Sequence, residues 1–403
     1  MLWLNILFLI LGYLLGSINP GYLFGRIKGI DIRQEGTKNA GTSNTYRVLG
    51  IGYAIPTAAY DTLKGVGVVL LALSLGVDPF YANLSGIFTI VGHIFPFYLR
   101  FRGGQGVAAA TGLLLYYLLN YFVLNPWFFL LMPYLGLIVI IYWYITRIGN
   151  VLGVMVLPLL AYAIWISYPF NIHNFFITIL LGQIVIIEIY NIINRKLFQI
   201  EDEDFRTRWW RVVTRPFAFL FIFFYLIFDQ LFALIFLGSV ACIFILLDLI
   251  RIFHEKSDKV IIEKAKKIYR KEERKTFSSM TVFLVSLFIS ILLFEKDIAI
   301  AATTFLVFGD TFGKIFGLAF GKKWIIKNRK SIEGTLAYIG AMLIFGYILF
   351  TSLNISFWIL LIGCLTAPLV ELLSIRPVND NLTVPLISGV TMTVALLIQT
   401  FYF

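Results

Sequence analysis

"GIDIRQEGTKNAGTSNTYRVLG", Gly29 to Gly50, lies between two long apolar runs, Leu2 to Phe24 and Ile51 to Leu75. The stretch is dense in glycine, asparagine, hydroxyls and positive charge, a composition that belongs in water, while its flanks belong in hydrocarbon. It reads as span, polar loop, span, and it sets the ruler for the rest of the chain. About 20 apolar residues at about 1.5 Å rise cross a hydrocarbon core of about 30 Å. By that length the first half continues with Phe80 to Leu99, Val107 to Val123, Trp127 to Ile145, Val151 to Tyr168 and Phe175 to Ile193. The second half offers Pro216 to Phe228, Leu231 to Ile250, Thr281 to Phe294, Ile298 to Ala319, Thr335 to Leu353, Phe357 to Leu373 and Thr383 to Phe403. The expected fold is all-α: a polytopic membrane protein of about 14 transmembrane helices, seven in each of two domains.

Bulk properties agree. Of 403 residues, 60% are hydrophobic and 17% aromatic, and a mean hydropathy of +0.88 excludes an ordinary soluble domain. Only 14% are charged, yet the net formal charge is +11, so the position of the cations matters more than their number. Arg26, Lys28, Arg33, Lys38 and Arg47 share the first loop, Arg100 and Arg102 the third, Arg147 the fifth, and Arg195 and Lys196 follow the seventh span. Arg251 to Lys275, Lys322 to Lys330 and Arg376 continue the alternation; Lys64, Lys296 and Lys314 fall elsewhere. Because Lys and Arg resist translocation, the asymmetry predicts an outside N-terminus and cytosolic basic loops, in an inner or plasma membrane. Charge so placed needs no nucleic acid partner.

Cys242 and Cys364 sit in apolar runs without metal-type spacing and read as small hydrophobes. No cleavable signal peptide is expected, since the first run lacks a basic n-region and a small-residue cleavage site. "QIEDEDFRTRWWR", Gln199 to Arg211, is the acidic cluster and the expected boundary between domains 1–200 and 201–403. "HEKSDKVIIEKAKKIYRKEERKTF" reads as a solvated amphipathic connector on the membrane face.

Three polar segments interrupt the first seven spans. In the opening loop, Gly36, Gly41 and the amides near Asn39 and Asn44 can turn N–H groups to an anion, with Arg33, Lys38 and Arg47 supplying charge. "DTLKG", Asp61 to Gly65, places an Asp and a Lys three apart on one helical face, in the outer part of the second span. An intramembrane ionisable pair is a functional candidate and equally a structural salt bridge. "VGHIFPFYLRFRGGQGVAAATG", Val91 to Gly112, sets Gly103, Gly104 and Gly106 beside arginines and ahead of a helix N-terminus. Two basic glycine loops on one membrane face suggest a site for a small phosphorylated molecule next to lipid.

"GSINPGYLFGRIKGIDIRQEGTKNAGTSNTYRVLG", "DTLKG" and "GHIFPFYLRFRGGQGVAAATG", in that order, resemble the acyl-phosphate:glycerol-3-phosphate acyltransferases (the PlsY family) over about Met1 to Glu201. The resemblance implies acyl transfer from acyl phosphate to the sn-1 hydroxyl of glycerol 3-phosphate, giving lysophosphatidate, with no metal or thiol cofactor. By it, Thr37, Arg47, Gln105, Glu188 and Asn191 are the catalytic candidates, expected around one cytosolic pocket. Lys38, Asn39, Asn44, Lys64, His93, Gly103 and Gly104 are the substrate-binding candidates. Three positions depart from the family pattern. Lys38 stands where it has glycine, Gln105 where it has lysine and Glu188 where it has histidine, which leaves open a catalytically altered or inactive relative.

In the second half "FGDTFGKIFGLAFGKKWIIKNRKSIEGTLA", Phe308 to Ala337, joins a carboxylate, glycines four apart and a basic run of Lys322, Lys323, Lys327, Arg329 and Lys330. The glycines alone read as close helix packing. Carboxylates plus cations provide what a nucleotide triphosphate with magnesium needs. "GDTFGKIFG", "KSIEGTLA" and "DNLTVP" resemble the CTP-dependent lipid kinases, the dolichol, phytol and diacylglycerol kinase group, over about Arg206 to Phe403. That resemblance implies CTP as substrate, Mg2+, a lipid alcohol partner, and roles for Asp310, Lys330, Glu333, Glu371, Asp380 and Asn381, with Asp310 and Glu333 as metal ligands. A membrane transporter or lipid-binding scaffold is the rival from another class; matched interruptions in repeated halves would mark one, and none is evident.

Overall fold

The computed structural model describes residues 2–124, 128–168, 171–200, 219–254, 276–326, 330–373 and 379–402. The acidic cluster at Glu201 to Arg211, the basic segment from Glu255 to Lys275, and Lys327, Arg329 and Arg376 lie outside them. The protein is an all-α polytopic membrane protein. Each of the fourteen apolar segments carries helix, and among the described residues nine helices are long and apolar enough to cross a membrane. The chain divides into two units, Met1–Leu137 with Ile148–Leu197, and Ile138–Arg147 with Phe198–Phe403.

The first unit contains α1 (Leu2–Ser17), α2 (Pro20–Ile27), α3 (Thr42–Leu49), α4 (Ile51–Ser74), α5 (Pro79–Ile94), α6 (Val107–Leu124), the first half of α7 (Phe128–Thr146), α8 (Gly149–Ser167) and α9 (Ile172–Asn194). Lipid gives helices no hydrophobic reason to associate, so close approach of small residues does that work. Gly12 and Gly16 of α1 lie against the backbone of Ser85 and Thr89 of α5, and Gly92 against Tyr13. Gly112 of α6 meets the carbonyl of Thr62 in α4 in the same way. A Cβ at Gly16 would stand 2.2 Å from the Thr89 oxygen.

The first apolar run is not one helix. It breaks between Ser17 and Pro20, where proline at the first position starts α2 and its missing N–H costs nothing. A break inside hydrocarbon frees carbonyls that water cannot reach. Each finds a donor: Tyr60 Oη donates to Leu15 O at 2.8 Å, Lys64 Nζ to Gly16 O at 3.1 Å, Tyr98 Oη to Ser17 O at 3.0 Å, and Lys64 Nζ to Ile18 O at 3.4 Å.

The second unit contains α10 (Phe219–Ile227), α11 (Gln230–Phe253), α12 (Ser279–Leu293) and α13 (Lys296–Thr304), which runs through a π turn (Phe305–Gly309) into α14 (Asp310–Phe320). An antiparallel ribbon follows, β1 (Trp324–Ile326) with β2 (Lys330–Ser331), pairing Trp324 with Ser331. Then come α15 (Ile332–Ser352), α16 (Phe357–Leu373) and α17 (Asp380–Tyr402). Gly313 and Gly317 of α14 face Gly334 of α15, so the glycine spacing serves helix contact. The π turn is held by Tyr338, whose hydroxyl donates to Phe305 O at 2.9 Å.

Introducing Gly16→Val should weaken the α1–α5 contact, because the new side chain must displace backbone rather than a flexible tip. Overpacking of this kind costs about 1–3 kcal/mol. A lowered thermal midpoint in detergent, with Gly52→Val unaffected where the surroundings are open, is the expected result.

Candidate active site

The loop between α2 and α3 is built around one side chain. Buried Asn44, in the first turn of α3, accepts from the Thr37 N–H at 2.6 Å and donates to the carbonyls of Ile32 at 2.7 Å, Glu35 at 3.1 Å and Asn39 at 2.8 Å. A loop has no ladder to satisfy its peptide groups, and this amide supplies the missing partners. Asn44 is therefore occupied with the loop itself. Asn39 is similarly turned inward, accepting from the Gly41 N–H at 3.2 Å.

Gly36 and Lys38 both take left-handed backbone, with φ of 57° and 56°. Gly36 has no alternative, since a Cβ there would lie 2.4 Å from Asn44 Oδ1. For Lys38 the same conformation costs about 1–3 kcal/mol, and it is where the family pattern has glycine. The side chains of Lys38 and Arg47 are exposed and carry no hydrogen bond or ion pair among the described residues. Thr37, next to Lys38 in the loop, is half-buried.

Arg33 corrects the expectation that it supplies charge to an anion. Its guanidinium grips Asp31 at 3.0 and 2.8 Å, donates to Leu99 O at 3.1 Å and Arg102 O at 3.4 Å, and lies 4.7 Å from the Tyr22 ring centre. Arg33 thus ties the first glycine loop to the second. The hydrogen bond from Arg33 holds the Asp31 carboxyl below its usual range, against the opposing effect of burial. The tie is at full strength above the ordinary carboxylate pKa and is lost as pH falls through the depressed one.

In the second loop the N–H groups of Gly103 and Gly104 donate back to Ile94 O and His93 O, each at 3.0 Å. Neither glycine has room for a Cβ, which would stand 2.1 Å from His93 O and 2.0 Å from His93 Nε2 respectively. Gln105 and Asn191 of α9 form a reciprocal amide pair, Gln105 Nε2 to Asn191 Oδ1 at 2.9 Å and Asn191 Nδ2 to Gln105 Oε1 at 3.3 Å. Beside them opens a cavity of about 560 Å³, with Gly104 and Gln105 at one end and Ile179, Ile186 and Tyr190 of α9 along its wall. Of the five catalytic candidates only Gln105 lines it; Thr37, Arg47, Glu188 and Asn191 do not. Glu188 instead faces α8, accepting a hydrogen bond from Asn150 and packing on Gly153.

Asp61 and Lys64 lie midway along α4, level with the break in α1 rather than in the outer part of the span. Lys64 Nζ is 2.9 Å from Asp61 Oδ1 and 2.8 Å from His93 Nδ1.

In the second unit, three of the six kinase-type candidates converge. Lys330 of β2 bonds the carboxylate of Glu371 at the end of α16 and its main-chain oxygen at 3.0 Å, and lies 3.8 Å from Asp380 at the start of α17. The other three have separate partners. Asp310 pairs with Lys314 at 2.7 Å. Glu333 accepts from the N–H groups of Lys322 at 3.1 Å and Lys323 at 3.2 Å, closing the ribbon. Buried Asn381 donates to Ser279 O at 3.3 Å. Among the described residues no three His, Cys, Asp or Glu side chains form a metal-type group.

Sequence reading missed a fully buried cluster in this unit. Asp248 bonds Arg251 at 3.1 Å, the Ser278 N–H at 2.7 Å and the Thr281 hydroxyl at 2.6 Å, joining α11 to the start of α12. The i, i+3 spacing of Asp and Arg in an apolar run was the available signal.

The fold and loops define an integral membrane protein whose first unit carries two glycine-rich loops tied together by Arg33, the second of them lining an apolar cavity. The family model described as glycerol-3-phosphate acyltransferase matches residues 6–199. The glycerol-3-phosphate acyltransferase of Rubrobacter xylanophilus is 47% identical over 109 residues, 27% of this chain and 55% of that protein. That of Bacillus subtilis is 34% identical over 185 residues, 46% of this chain and 88% of that protein. The match thus spans about half the length of the first relative and most of the second. The crystal structure of PlsY (YgiH), an integral membrane glycerol 3-phosphate acyltransferase in its glycerol 3-phosphate form, is similar at 27% identity with a TM-score of 0.38, over 48% of this chain and 92% of that one. Through its first half, the chain belongs to the glycerol-3-phosphate acyltransferase family. Residues 200–403 lie outside the matched stretch.

Replacing Asn44 by Ala leaves the Thr37 N–H and the Asn39 carbonyl without their partner and takes one of two donors from the carbonyls of Ile32 and Glu35; each unpaired group costs about 1–3 kcal/mol if it stays buried. Hydrogen exchange should accelerate at Thr37 and its neighbours while α4 keeps its protection; unchanged exchange in the loop would contradict the arrangement.

Proposed function

We propose that the first unit transfers a fatty acyl group from acyl phosphate to the sn-1 hydroxyl of glycerol 3-phosphate at the cytosolic face of an inner or plasma membrane. The observation that carries this is a second glycine loop that lines an apolar cavity and is tied through Arg33 to the basic first loop, in a chain whose matched relatives are named glycerol-3-phosphate acyltransferases. Lys38 and Arg47 are free to hold phosphate, with the Thr37 hydroxyl beside them. The cavity along α9 suits an acyl chain, with Gln105 in its lining and Asn191 bonded to Gln105.

The hydroxyl oxygen attacks the acyl carbon, the carbon–oxygen bond to phosphate breaks, and inorganic phosphate leaves carrying the hydroxyl proton on one of its oxygens. Both substrates bring their own anionic groups, so the protein's contribution is orientation and charge neutralisation without metal or thiol. Purified protein given acyl phosphate and glycerol 3-phosphate with EDTA should form lysophosphatidate. Arg47→Ala should lower turnover by about 10²–10³-fold, the usual loss when one donor to developing charge is removed. No product from the unaltered protein would overturn the reading.

For the second unit we infer CTP-dependent phosphorylation of a lipid alcohol, with Mg2+. The convergence of Lys330, Glu371 and Asp380 from three separate elements supports it, as does the π turn ahead of Asp310, since such turns gather at functional sites. Asp310, paired with Lys314, and Glu333, accepting from the N–H groups of Lys322 and Lys323, do not form a shared metal site as they stand, so magnesium would be held chiefly by the nucleotide phosphates, where it supplies charge neutralisation. Labelled CTP with diacylglycerol or polyprenol should yield a phosphorylated lipid, and Lys330→Ala should abolish it; no labelled lipid with either acceptor removes the second activity while leaving the first.

A further inference from the structure

The sequence marks Lys64 and His93 as substrate-binding candidates, yet the side chains of both are almost fully buried and neither lines the cavity. Lys64 Nζ has four neighbours at hydrogen-bonding range: Asp61 Oδ1, His93 Nδ1, Gly16 O and Ile18 O. Lys64 Nζ at 2.8 Å and Asp61 Oδ1 at 3.3 Å both meet His93 at Nδ1, which leaves Nε2 as the outer ring nitrogen. That nitrogen fills the space a Cβ at position 104 would need, and the backbone oxygen of His93 accepts from the Gly104 N–H. Gly104 and Gln105 line the cavity, and Gln105 is hydrogen-bonded to Asn191. One continuous set of contacts runs from the break in α1 to the cavity mouth.

The geometry points to Lys64 as a positioning residue for acyl transfer: it clamps the His93 ring, and the ring sets where Gly104 and Gln105 stand against the reacting ends of the substrates. This rests on the acyltransferase reading of the first unit. Lys64 touches no substrate. Its effect passes through His93, so its loss misplaces the catalytic geometry while leaving the phosphate-binding cations Lys38 and Arg47 in place.

The test is the double variant Asp61→Asn/Lys64→Met, which removes both charges at nearly constant volume and so avoids an orphaned ion. In detergent it should still fold, with a lowered thermal midpoint because the carbonyls of Gly16 and Ile18 lose their donor, and kcat should fall by about 10²-fold, the cost of a small displacement at a reacting centre. The KM for glycerol 3-phosphate should stay close to its starting value. A stable double variant with unchanged kcat overturns the proposal, because a purely structural pair would behave that way.

If the double variant does not fold, a cycle on His93→Ala and Gly104→Ala decides. Gly104→Ala alone should lose activity by crowding the imidazole, and adding His93→Ala should recover part of that loss. Simple additivity overturns the proposal. Absence of turnover in the unaltered protein would instead remove the acyltransferase reading beneath it.

Discussion

A lysine ammonium held away from water has to be surrounded by acceptors, and around Lys64 those acceptors come from three helices. Asp61 belongs to its own helix, His93 to α5, and Gly16 and Ile18 to the broken end of α1. The arrangement solves two problems together. The break frees carbonyls with no solvent to turn to, and the ammonium is a charge with no solvent either. A positive charge at a helix C-terminus is also favoured by the helix dipole. Removing any one partner leaves the others exposed to a cost they do not now bear. The break in turn lets α2 leave the path of α1 and deliver the polar loop at Gly29 to Gly41.

That loop shows where the sequence was legible and where it was not. Helix positions follow from hydropathy, a local property, so fourteen apolar runs became helix. The polar character of the loops, and their placement at one end of the first unit, also followed from composition and charge alternation. What Arg33 and Asn44 do was hidden, because their roles depend on partners distant in sequence or on backbone geometry. Arg33 carries the charge of a phosphate ligand, but its guanidinium is spent on Asp31 and on carbonyls of the other loop. Asn44 has the chemistry to bind substrate and uses it to fold the loop from Ile32 to Asn39 around itself. The Asp61–Lys64 pair could be read from its spacing. The third member, His93, could not.

The second unit repeats the lesson at its own polar cluster. Lys330 lies 41 residues from Glu371, and the three residues sit at the start of a strand, near the end of a helix and at the start of the next helix. Motif order identified them singly without indicating that the lysine bridges the two acids. Asp310 and Glu333, paired in the sequence reading as metal ligands, have different attachments, one to Lys314 and the other to backbone N–H groups of the ribbon. Asp248 and Arg251 went unnoticed because an apolar run masks a buried pair that satisfies itself locally.

Charge placement in the first unit follows from what replaced the family's lysine and histidine. Gln105 and Asn191 close on each other as neutral amides, which fixes orientation and adds no positive charge. Glu188 faces α8 and takes its hydrogen bond from Asn150, so a negative charge is directed away from the amide pair and not into it. Cationic help for a phosphorylated substrate then has to come from the loop side, where Lys38 and Arg47 have no competing partner. Lys38 holds a left-handed backbone that glycine would adopt without strain, at a cost of about 1–3 kcal/mol. Among the described residues the Lys38 side chain makes no hydrogen bond or ion pair that would offset this cost. Under the proposed acyl transfer its value lies in the charge it presents, which makes the first glycine loop, not the second, the source of cationic help for phosphate.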